Sequence, residues 1–454
     1  MSRARSLVGL LIVAALFSAS LLCDPSAARA DDGAGAGALL PPPIDYRDEQ
    51  TLVGQLWSNE AAVLEARAAV GTAAAELMRS RTYPNPTLDA AWGTIPVGAT
   101  NPKNLSEPLT NVPNYTFGLS ELIEIAKRGP RESAAVHAYE QAQEHALATL
   151  SEKTFDLFRA VGRIARAQIH RATMENLVNA ANDLLALDRA RAAKGDVAIV
   201  DADRMTVEAV RLGANRAAAQ AALNAAQAEC SKLIVAPCPE FATAEAARHF
   251  LEDGATAALP AAWSDELEAR RHDIRALTAG AAAADEREEL GRRKAVPDVT
   301  VRVGYTYDTF VESGNQRNSL GLGLQVPLPI LDHGQADVLE AHSERSQLTQ
   351  QRRTLLASAR LDFDSALRER AIVRSRTQQI DAALTTARSV RDTIEKTVGG
   401  GGASMADVLI ARRSYQEILL DRDDRDGDAY EAALKVRQAG GLVSLPANVQ
   451  EPTS

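Results

Sequence analysis

Aromatic residues and cysteines are scarce in this chain of 454 residues. Aromatics make up 4% of it, and there are three cysteines. No run of about 18 apolar residues follows Cys23, so no transmembrane helix is expected after that point. The net charge of −10 argues against binding to nucleic-acid phosphates. The seven histidines are scattered, with no pair at i, i+4 spacing, and give no sign of a metal centre.

Motifs of catalysis are missing as well. The sequence has no nucleophile elbow, no His-Glu-x-x-His motif and no convincing constellation of acid and base. The glycine run over 399–402 is not a phosphate-binding loop, because no Lys-Ser or Lys-Thr follows it and no strand precedes it. We therefore expect no enzyme activity, no cofactor and no resident metal.

The N-terminus has the features of an export signal. Two arginines precede an apolar stretch over 7–22, and Ala28-Arg29-Ala30 supplies small residues at the cleavage positions. We expect residues 1–30 to be removed and residues 31–45 to form a flexible segment. Two alternatives stay open, an uncleaved membrane anchor and lipidation of Cys23.

Long proline-free spans predict unusually long helices. No proline lies between Pro130 and Pro237, or between Pro329 and Pro446. A continuous helix over 132–194 would measure about 95 Å at ~1.5 Å per residue. Mostly apolar residues in each span recur at alternating steps of three and four, a heptad seam that two arginines and a threonine weaken in the second span. The seam residues are Leu147, Leu150, Thr154, Leu157, Val161 and Ile164 in the first span, and Leu356, Ala359, Phe363, Ala366, Arg370, Val373, Thr377, Ile380, Leu384, Ala387, Arg391 and Ile394 in the second.

The chain repeats one large unit at an offset of about 205 residues. Each copy predicts a helix, two strands and a long helical hairpin whose turn, the tip, is rich in glycine. The predicted segments are a first repeat over 46–235 (strands at about 86–93 and 114–122, tip at Gly195), a connecting segment over 236–262, a second repeat over 263–440 (strands at about 298–308 and 318–327, tip at 399–404) and a tail over 441–454.

The four strand candidates alternate apolar and polar residues over lengths that can cross a bilayer. Six of the 19 aromatic residues fall in or beside them, as in the aromatic belt of a membrane barrel: Trp92, Tyr115, Phe117, Tyr305, Tyr307 and Phe310. Four strands cannot close a barrel, so several chains would have to share one, and three chains would give twelve strands. An ordinary antiparallel sheet packed on a helix is the alternative. The predicted lipid-facing residues are Leu88, Trp92, Tyr115, Phe117, Val301, Val303, Tyr305, Leu322 and Leu324.

Two cysteines remain after removal of the signal segment. Cys230 and Cys238 are separated by seven residues, and an oxidising compartment would favour a disulfide between them. The alternative is a pair of buried thiols. Two cysteines alone are too few for a structural zinc site, which uses about four ligands.

Four segments together resemble one known family. They are Tyr83–Leu88 before the first strand, Val326–Asp332 after the last strand, and the tip segments Gly195–Asp201 and Gly401–Leu409. In order, spacing and duplication they resemble the TolC-like outer-membrane efflux factors, and most of all the heavy-metal branch of the cobalt–zinc–cadmium (CzcC) type. The resemblance covers about residues 45–440.

This resemblance implies a mostly α fold with a small β part, assembled as a homotrimer. Four strands per chain would complete a twelve-stranded outer-membrane barrel, and the helices would form a periplasmic tunnel. The tips would dock on a periplasmic adaptor (a membrane fusion protein) bound to an inner-membrane pump of the RND type. The protein would be a passive exit duct, for heavy-metal cations in the leading interpretation. The alternatives are a duct for drugs, small molecules or secreted polypeptide, and a periplasmic coiled-coil protein without a pore.

The resemblance also implies roles for residues at the tips. Asp201 and Asp407 match positions at the periplasmic constriction, where three copies of each would form a ring that favours cations. The alternative for both is a favourable interaction with the start of a helix. Ala403 stands where some relatives have an arginine, so an arginine-locked closed state is not expected. The predicted adaptor-docking residues are Gly195, Asp196, Val197, Gly401, Gly402 and Ser404.

Overall fold

Two long helical hairpins and one four-stranded sheet make up the fold. A computed structural model describes residues 45–99, 105–195, 198–257, 266–311, 316–398 and 404–443, without the side chains of Asp201, Val398, Met405 and Ala406. These residues fall within one unit, Ile44–Ser454. The helices are α1 (Glu49–Asn59), α2 (Ala61–Arg81), α3 (Pro108–Asn111), α4 (Arg128–Ala193), α5 (Ile199–Ile234), α6 (Ala244–Thr256), α7 (Leu267–Arg270), α8 (His272–Arg293), α9 (Gln335–Val398) and α10 (Met405–Ala439), and the strands are β1 (Thr87–Gly93), β2 (Asn114–Ile123), β3 (Val299–Asp308) and β4 (Asn318–Gln325).

The two repeats have matching helices. Helices α4 and α9 contain 66 and 64 residues, and their return partners α5 and α10 contain 36 and 35. At ~1.5 Å per residue, α4 is about 100 Å long. It begins four residues before the predicted start, because Pro130 lies in its first turn, where a missing amide hydrogen costs no helical bond. Among the described helices, none combines the length and apolar character that crossing a membrane requires.

The predicted seam residues lie where the long helices meet. Helix α4 packs along α5 and α8, and α9 packs along α8 and α10. Leu150, Leu157 and Ile164 are fully buried, and in the second repeat Ala359 and Phe363 are buried. The remaining seam residues are buried or half-buried in the single chain. The heptad pattern therefore identified the packed side of each long helix.

A short amphipathic helix, α6, lies in the predicted connecting segment. The Thr243 hydroxyl caps its start by accepting from the Ala246 amide, and Leu251 is buried in the main core. The guanidinium of Arg370, from α9, donates to the carbonyl oxygens of Ala255 and Ala257 at the end of α6. No helix was predicted in this segment. Before β1 the sequence predicts one helix, whereas the structure has two, α1 and α2, which meet at Glu60.

The four strands form one antiparallel sheet in the order β1-β2-β3-β4. All four predicted strands are present, with ends that lie within two residues of the prediction. Strand β1 begins after Pro86, and β4 ends before Pro327, because proline has no amide hydrogen to donate to a ladder. Each repeat therefore contributes one adjacent pair of strands, and β2 joins the two pairs through β3.

Candidate functional site

One face of the sheet, the apolar face, carries all nine predicted lipid-facing residues. The register places Leu88, Leu119, Val303 and Leu322 in one row across the four strands. Leu322 is 80% exposed in the single chain, although a leucine is ordinarily buried. The row is thus a continuous apolar surface that no described part of the chain covers.

Aromatic residues occupy one end of the apolar face. Trp92, Tyr115 and Tyr307 are register partners near the end of the sheet that lies away from the long helices. Tyr305 lies next to this row, and its hydroxyl donates to Oδ1 of Asn318 at 2.6 Å. Aromatic rings with a polar group at this position are typical of a boundary between lipid and water.

The opposite face, the polar face, is lined by small polar residues and glycines. The hydroxyls of Thr87 and Ser120 lie 2.7 Å apart. Near the middle of this face the guanidinium of Arg302 binds the carboxylate of Asp89. The sheet therefore separates an apolar surface from a polar, charged one, which is the arrangement of a barrel wall between lipid and water.

Ion pairs hold the junction between the sheet and α4. Asp298 accepts hydrogen bonds from the Ile125 amide at 3.0 Å and from Nζ of Lys127 at 2.8 Å. Burial raises the pKa of Asp298, but these hydrogen bonds outweigh it and keep that pKa below its usual range. The Arg131 hydrogen bond likewise lowers the pKa of Glu124. These pairs fix the direction in which α4 leaves β2. They were not predicted from the sequence, although their charges cluster beside a strand end.

The first tip is a tight turn at Gly195. Its φ of +80° lies in the left-handed region, which glycine adopts without steric cost. The side chain of Asp201 and the tip residues Asp196, Val197, Gly401 and Gly402 lie outside the described part of the chain.

The second tip ends in a capping box at the start of α10. The Ser404 hydroxyl accepts from the Asp407 amide, and the Asp407 carboxylate accepts from the Ser404 amide at 2.9 Å and from its hydroxyl at 2.7 Å. These hydrogen bonds lower the pKa of Asp407. Asp407 is therefore an exposed carboxylate that stays charged at neutral pH, and its hydrogen bonds to Ser404 cap the start of α10.

A disulfide closes the end of α5. The structure joins Cys230 to Cys238, whose Cα atoms lie 6.0 Å apart. The Ser231 hydroxyl accepts from the Cys238 amide at 3.0 Å. Next in the chain, Phe241 exchanges two hydrogen bonds with the Gln168 side chain on α4, at 2.8 and 2.9 Å. The loop after α5 is therefore attached both to its own helix and to α4.

A buried charge cluster joins α6 to the middle of the hairpins. Arg248 lies 2.8 Å from Asp423 and 3.2 Å from Asp426, both on α10. The hydroxyl of Thr173, from α4, donates to Asp423 at 2.5 Å. Burial raises the pKa of Asp426 to about 6, although Arg248 and Arg422 act to lower it. This cluster was not predicted from the sequence, because its members are separated by long stretches of chain.

Within the described ranges, no group of three or more histidine, cysteine, aspartate or glutamate side chains is arranged to hold a metal ion. The half-buried His272 instead binds Glu144 at 2.8 Å, and Arg275 binds the other oxygen of that carboxylate at 2.5 Å. These side chains connect α8 to α4. They act as a structural contact between helices.

Comparison with known proteins adds one sequence relative. No protein-family model matches the chain. It is 29% identical over 280 residues to the cobalt-zinc-cadmium resistance protein CzcC of Cupriavidus metallidurans. This match covers 58% of the chain and 59% of CzcC, so the chain spans about three fifths of the length of that relative.

Solved structures show the same fold at low identity. The outer membrane protein VceC of Vibrio cholerae superimposes with a TM-score of 0.68 and 16% identity, over 87% of this chain and 96% of VceC. CusC, described as forming a transmembrane channel, gives a TM-score of 0.71 and 16% identity, over 87% and 92% of the two chains. None of the three proteins is described as an enzyme. The predicted fold class and the resemblance on which it rested are confirmed.

Proposed function

We propose that this chain, which has the fold of the TolC-like outer-membrane channels, is the outer-membrane exit duct of a tripartite efflux system. The observation that carries the proposal is the two-faced sheet at the end of the long hairpins. Its apolar face is exposed, with Leu320, Leu322 and Leu324 each at least 74% accessible, while its opposite face is polar. A wall between lipid and an aqueous lumen requires this division.

The open edges of the sheet require further chains. Strands β1 and β4 each have one side without a partner in the described sheet. In hydrocarbon, each unpaired backbone group costs several kcal/mol, so a spanning sheet must close. Three chains close a barrel of twelve strands, and we therefore propose a homotrimer in the outer membrane.

The long helices supply the periplasmic part of the duct. A 66-residue helix extends about 100 Å from the sheet. Apolar side chains on the hairpins, such as Val207, Val210 and Ile410, are 66–70% exposed in the single chain. Neighbouring protomers of a trimer would cover such residues and complete a tunnel. A coiled-coil protein without a pore is disfavoured, because it leaves the apolar face of the sheet in water.

The tips are the proposed contact with a periplasmic adaptor, itself bound to an inner-membrane pump of the RND type. They are the ends of the hairpins farthest from the sheet, and Gly195 gives the first one a compact turn. The energy for export would come from the pump, since neither the sequence nor the described structure offers a nucleotide-binding loop.

Heavy-metal cations are the proposed cargo. The support is the similarity to a protein named for cobalt, zinc and cadmium resistance, over 58% of the chain. Three copies of Asp407, each held charged by its capping hydrogen bonds, would place a cation-favouring ring near the tip, and Asp201 is proposed to add a second ring. A duct for drugs, small molecules or polypeptide is the alternative within the same fold.

Fractionation and a resistance assay test this proposal. The wild-type chain should sediment with the outer membrane and migrate as a trimer after crosslinking. Deleting its gene should sensitise the cell to zinc, cobalt or cadmium, and the wild-type gene should restore growth. Sensitivity to drugs alone would favour the alternative cargo. A monomer found only in the periplasmic fraction would contradict the duct.

A further inference from the structure

An ion pair crosses the polar face of the sheet between strands that are not neighbours. Asp89 lies on β1 and Arg302 on β3, with β2 between them, and the two side chains bind each other directly. They pass over Gly118. A Cβ atom at that position would lie 2.6 Å from Oδ1 of Asp89 and 2.9 Å from Nε of Arg302. The absence of a side chain at Gly118 is therefore what lets the pair form.

Glycines surround the pair on the polar face of the sheet. Gly304 and Gly321 continue the register row of Asp89 and Gly118 across β3 and β4. The two charged side chains therefore lie among glycines, which have no side chains to cover them. Among the described strands, the other charged residue on this face is Asp308, at the far end of β3.

We propose that Asp89 and Arg302 together set the charge balance of the lumen inside the barrel, an inference that rests on the proposed function. In a trimer, three aspartates and three arginines would meet at one depth of the lumen. Their charges cancel, so this depth of the lumen neither retains nor repels cations or anions through a net charge. Removing one partner leaves a ring of three like charges, the arrangement that gives pores their ion preference.

The exposure of both side chains distinguishes this role from a purely structural one. Both side chains are more than a third exposed in the single chain, and exposed ion pairs contribute little to stability. The hydrogen-bonded ladders on both sides of β2 already hold β1 and β3 in place. The pair's main effect is therefore on the electric field of the lumen.

The test is the reversal potential of the purified full-length protein in planar bilayers under a potassium chloride gradient. Asp89→Asn should shift permeability severalfold toward chloride, and Arg302→Gln should shift it severalfold toward potassium. The double variant should return close to the wild-type ratio. Asp89→Glu with Arg302→Lys, which keeps both charges, should also match the wild type.

Glu121→Gln is the matched control, because it removes a negative charge from the apolar face of the same sheet. It should leave the reversal potential unchanged. Each single variant is measured only after trimer formation is verified, and either single variant tests the inference if the other does not assemble. Wild-type protein that forms no channel would contradict the proposed function itself. If the channels conduct but all variants have the same ion preference, the proposed role of the pair is overturned and the proposed function is not.

Discussion

Tyr430 packs its ring directly on the backbone of Gly162. A Cβ atom at Gly162 would lie 2.7 Å from Cε1 of Tyr430, and a Cβ atom at Gly254 would lie 2.6 Å from Cδ2, on the other edge of the ring. The hydroxyl of Tyr430 donates to the Phe158 carbonyl oxygen at 3.4 Å. One aromatic side chain of α10 is thus held between α4 and α6, at the centre of the main core.

Gly162→Ala should therefore destabilise the protein. The added methyl group must displace the Tyr430 ring, and overpacking of a core costs about 1–3 kcal/mol. The measurement is chemical or thermal unfolding of the detergent-solubilised protein. Gly213→Ala is the matched control, because a Cβ there meets nothing within 4 Å. In a helix interior it should stabilise by about 0.5–1 kcal/mol. Equal effects of the two substitutions would contradict the packing argument.

Replacing Cys230 and Cys238 by serine should lower the stability of the connector after α5. The disulfide closes a loop of about nine residues, for which chain entropy predicts a loss of about 2–3 kcal/mol. The readout is the unfolding temperature with and without a reducing agent. The reductant should lower it for the wild type and leave the double-serine variant unchanged. A wild type insensitive to reductant under unfolding conditions would speak against the disulfide's contribution.

Periodicity in the sequence predicted which sides of the elements are apolar. The three-four spacing around Phe363 and the alternation around Leu322 identified the packed side of a helix and one face of a sheet before any contact was known. Periods of 3.6 and 2 residues follow from local backbone geometry, so a single sequence contains them. The four strands and both hairpins were predictable for the same reason.

Partners across the fold were not predictable in this way. Asp89 and Arg302 are 213 residues apart, and Arg248 and Asp423 are 175 apart. Alternation gives the face on which a residue lies, but it does not give the register between strands, which depends on turns and on pairing. The signal that could have indicated the first pair is the occurrence of one acidic and one basic residue in the interior of strand faces whose one other charged residue, Asp308, lies at a strand end.

Leu322→Asp should block insertion into the outer membrane. The substitution places a carboxylate on the exposed apolar row, where burial of a charge in lipid is unfavourable. Ser319→Asp is the matched control, because Ser319 lies on β4 but on the polar face, opposite Thr306. Outer-membrane levels measured by fractionation should fall severalfold for the first variant and little for the second. Normal trimer assembly of Leu322→Asp would refute the assignment of the two faces.

Asp407→Asn should weaken cation preference while preserving the helix start. An amide oxygen can still accept from the Ser404 amide, so the substitution removes the charge and retains that part of the capping box. Permeability ratios from reversal potentials should move severalfold toward anions. Ser404→Ala is the complementary control, since it removes the cap and keeps the charge. If Ser404→Ala changed the ratio and Asp407→Asn did not, the carboxylate would have only a structural role.

Stability should depend on pH through Asp426. Its pKa is about 6 in the folded chain, against about 3.9 for an unperturbed aspartate. Between these values the unfolded chain has lost this proton and the folded chain retains it. The contribution of Asp426 to stability therefore falls as pH rises from about 4 to above 6. Asp426→Asn removes the titration, so the stability of the wild type relative to this variant should be greatest near pH 4.

Unfolding temperatures of both proteins between about pH 3 and pH 8 test this dependence, a range that extends below the pH at which an unfolded aspartate ionises. Asp298→Asn provides a comparison of opposite sign, because the folded pKa of Asp298 is lowered. The wild type should gain stability relative to Asp298→Asn as pH rises through about 4, the range in which an unfolded aspartate ionises. A wild-type advantage over Asp426→Asn that grows with pH would mean that the ion pair with Arg248 outweighs the burial of the charge. The sign of that slope therefore decides which of the two effects dominates in the cluster joining α6 to α10.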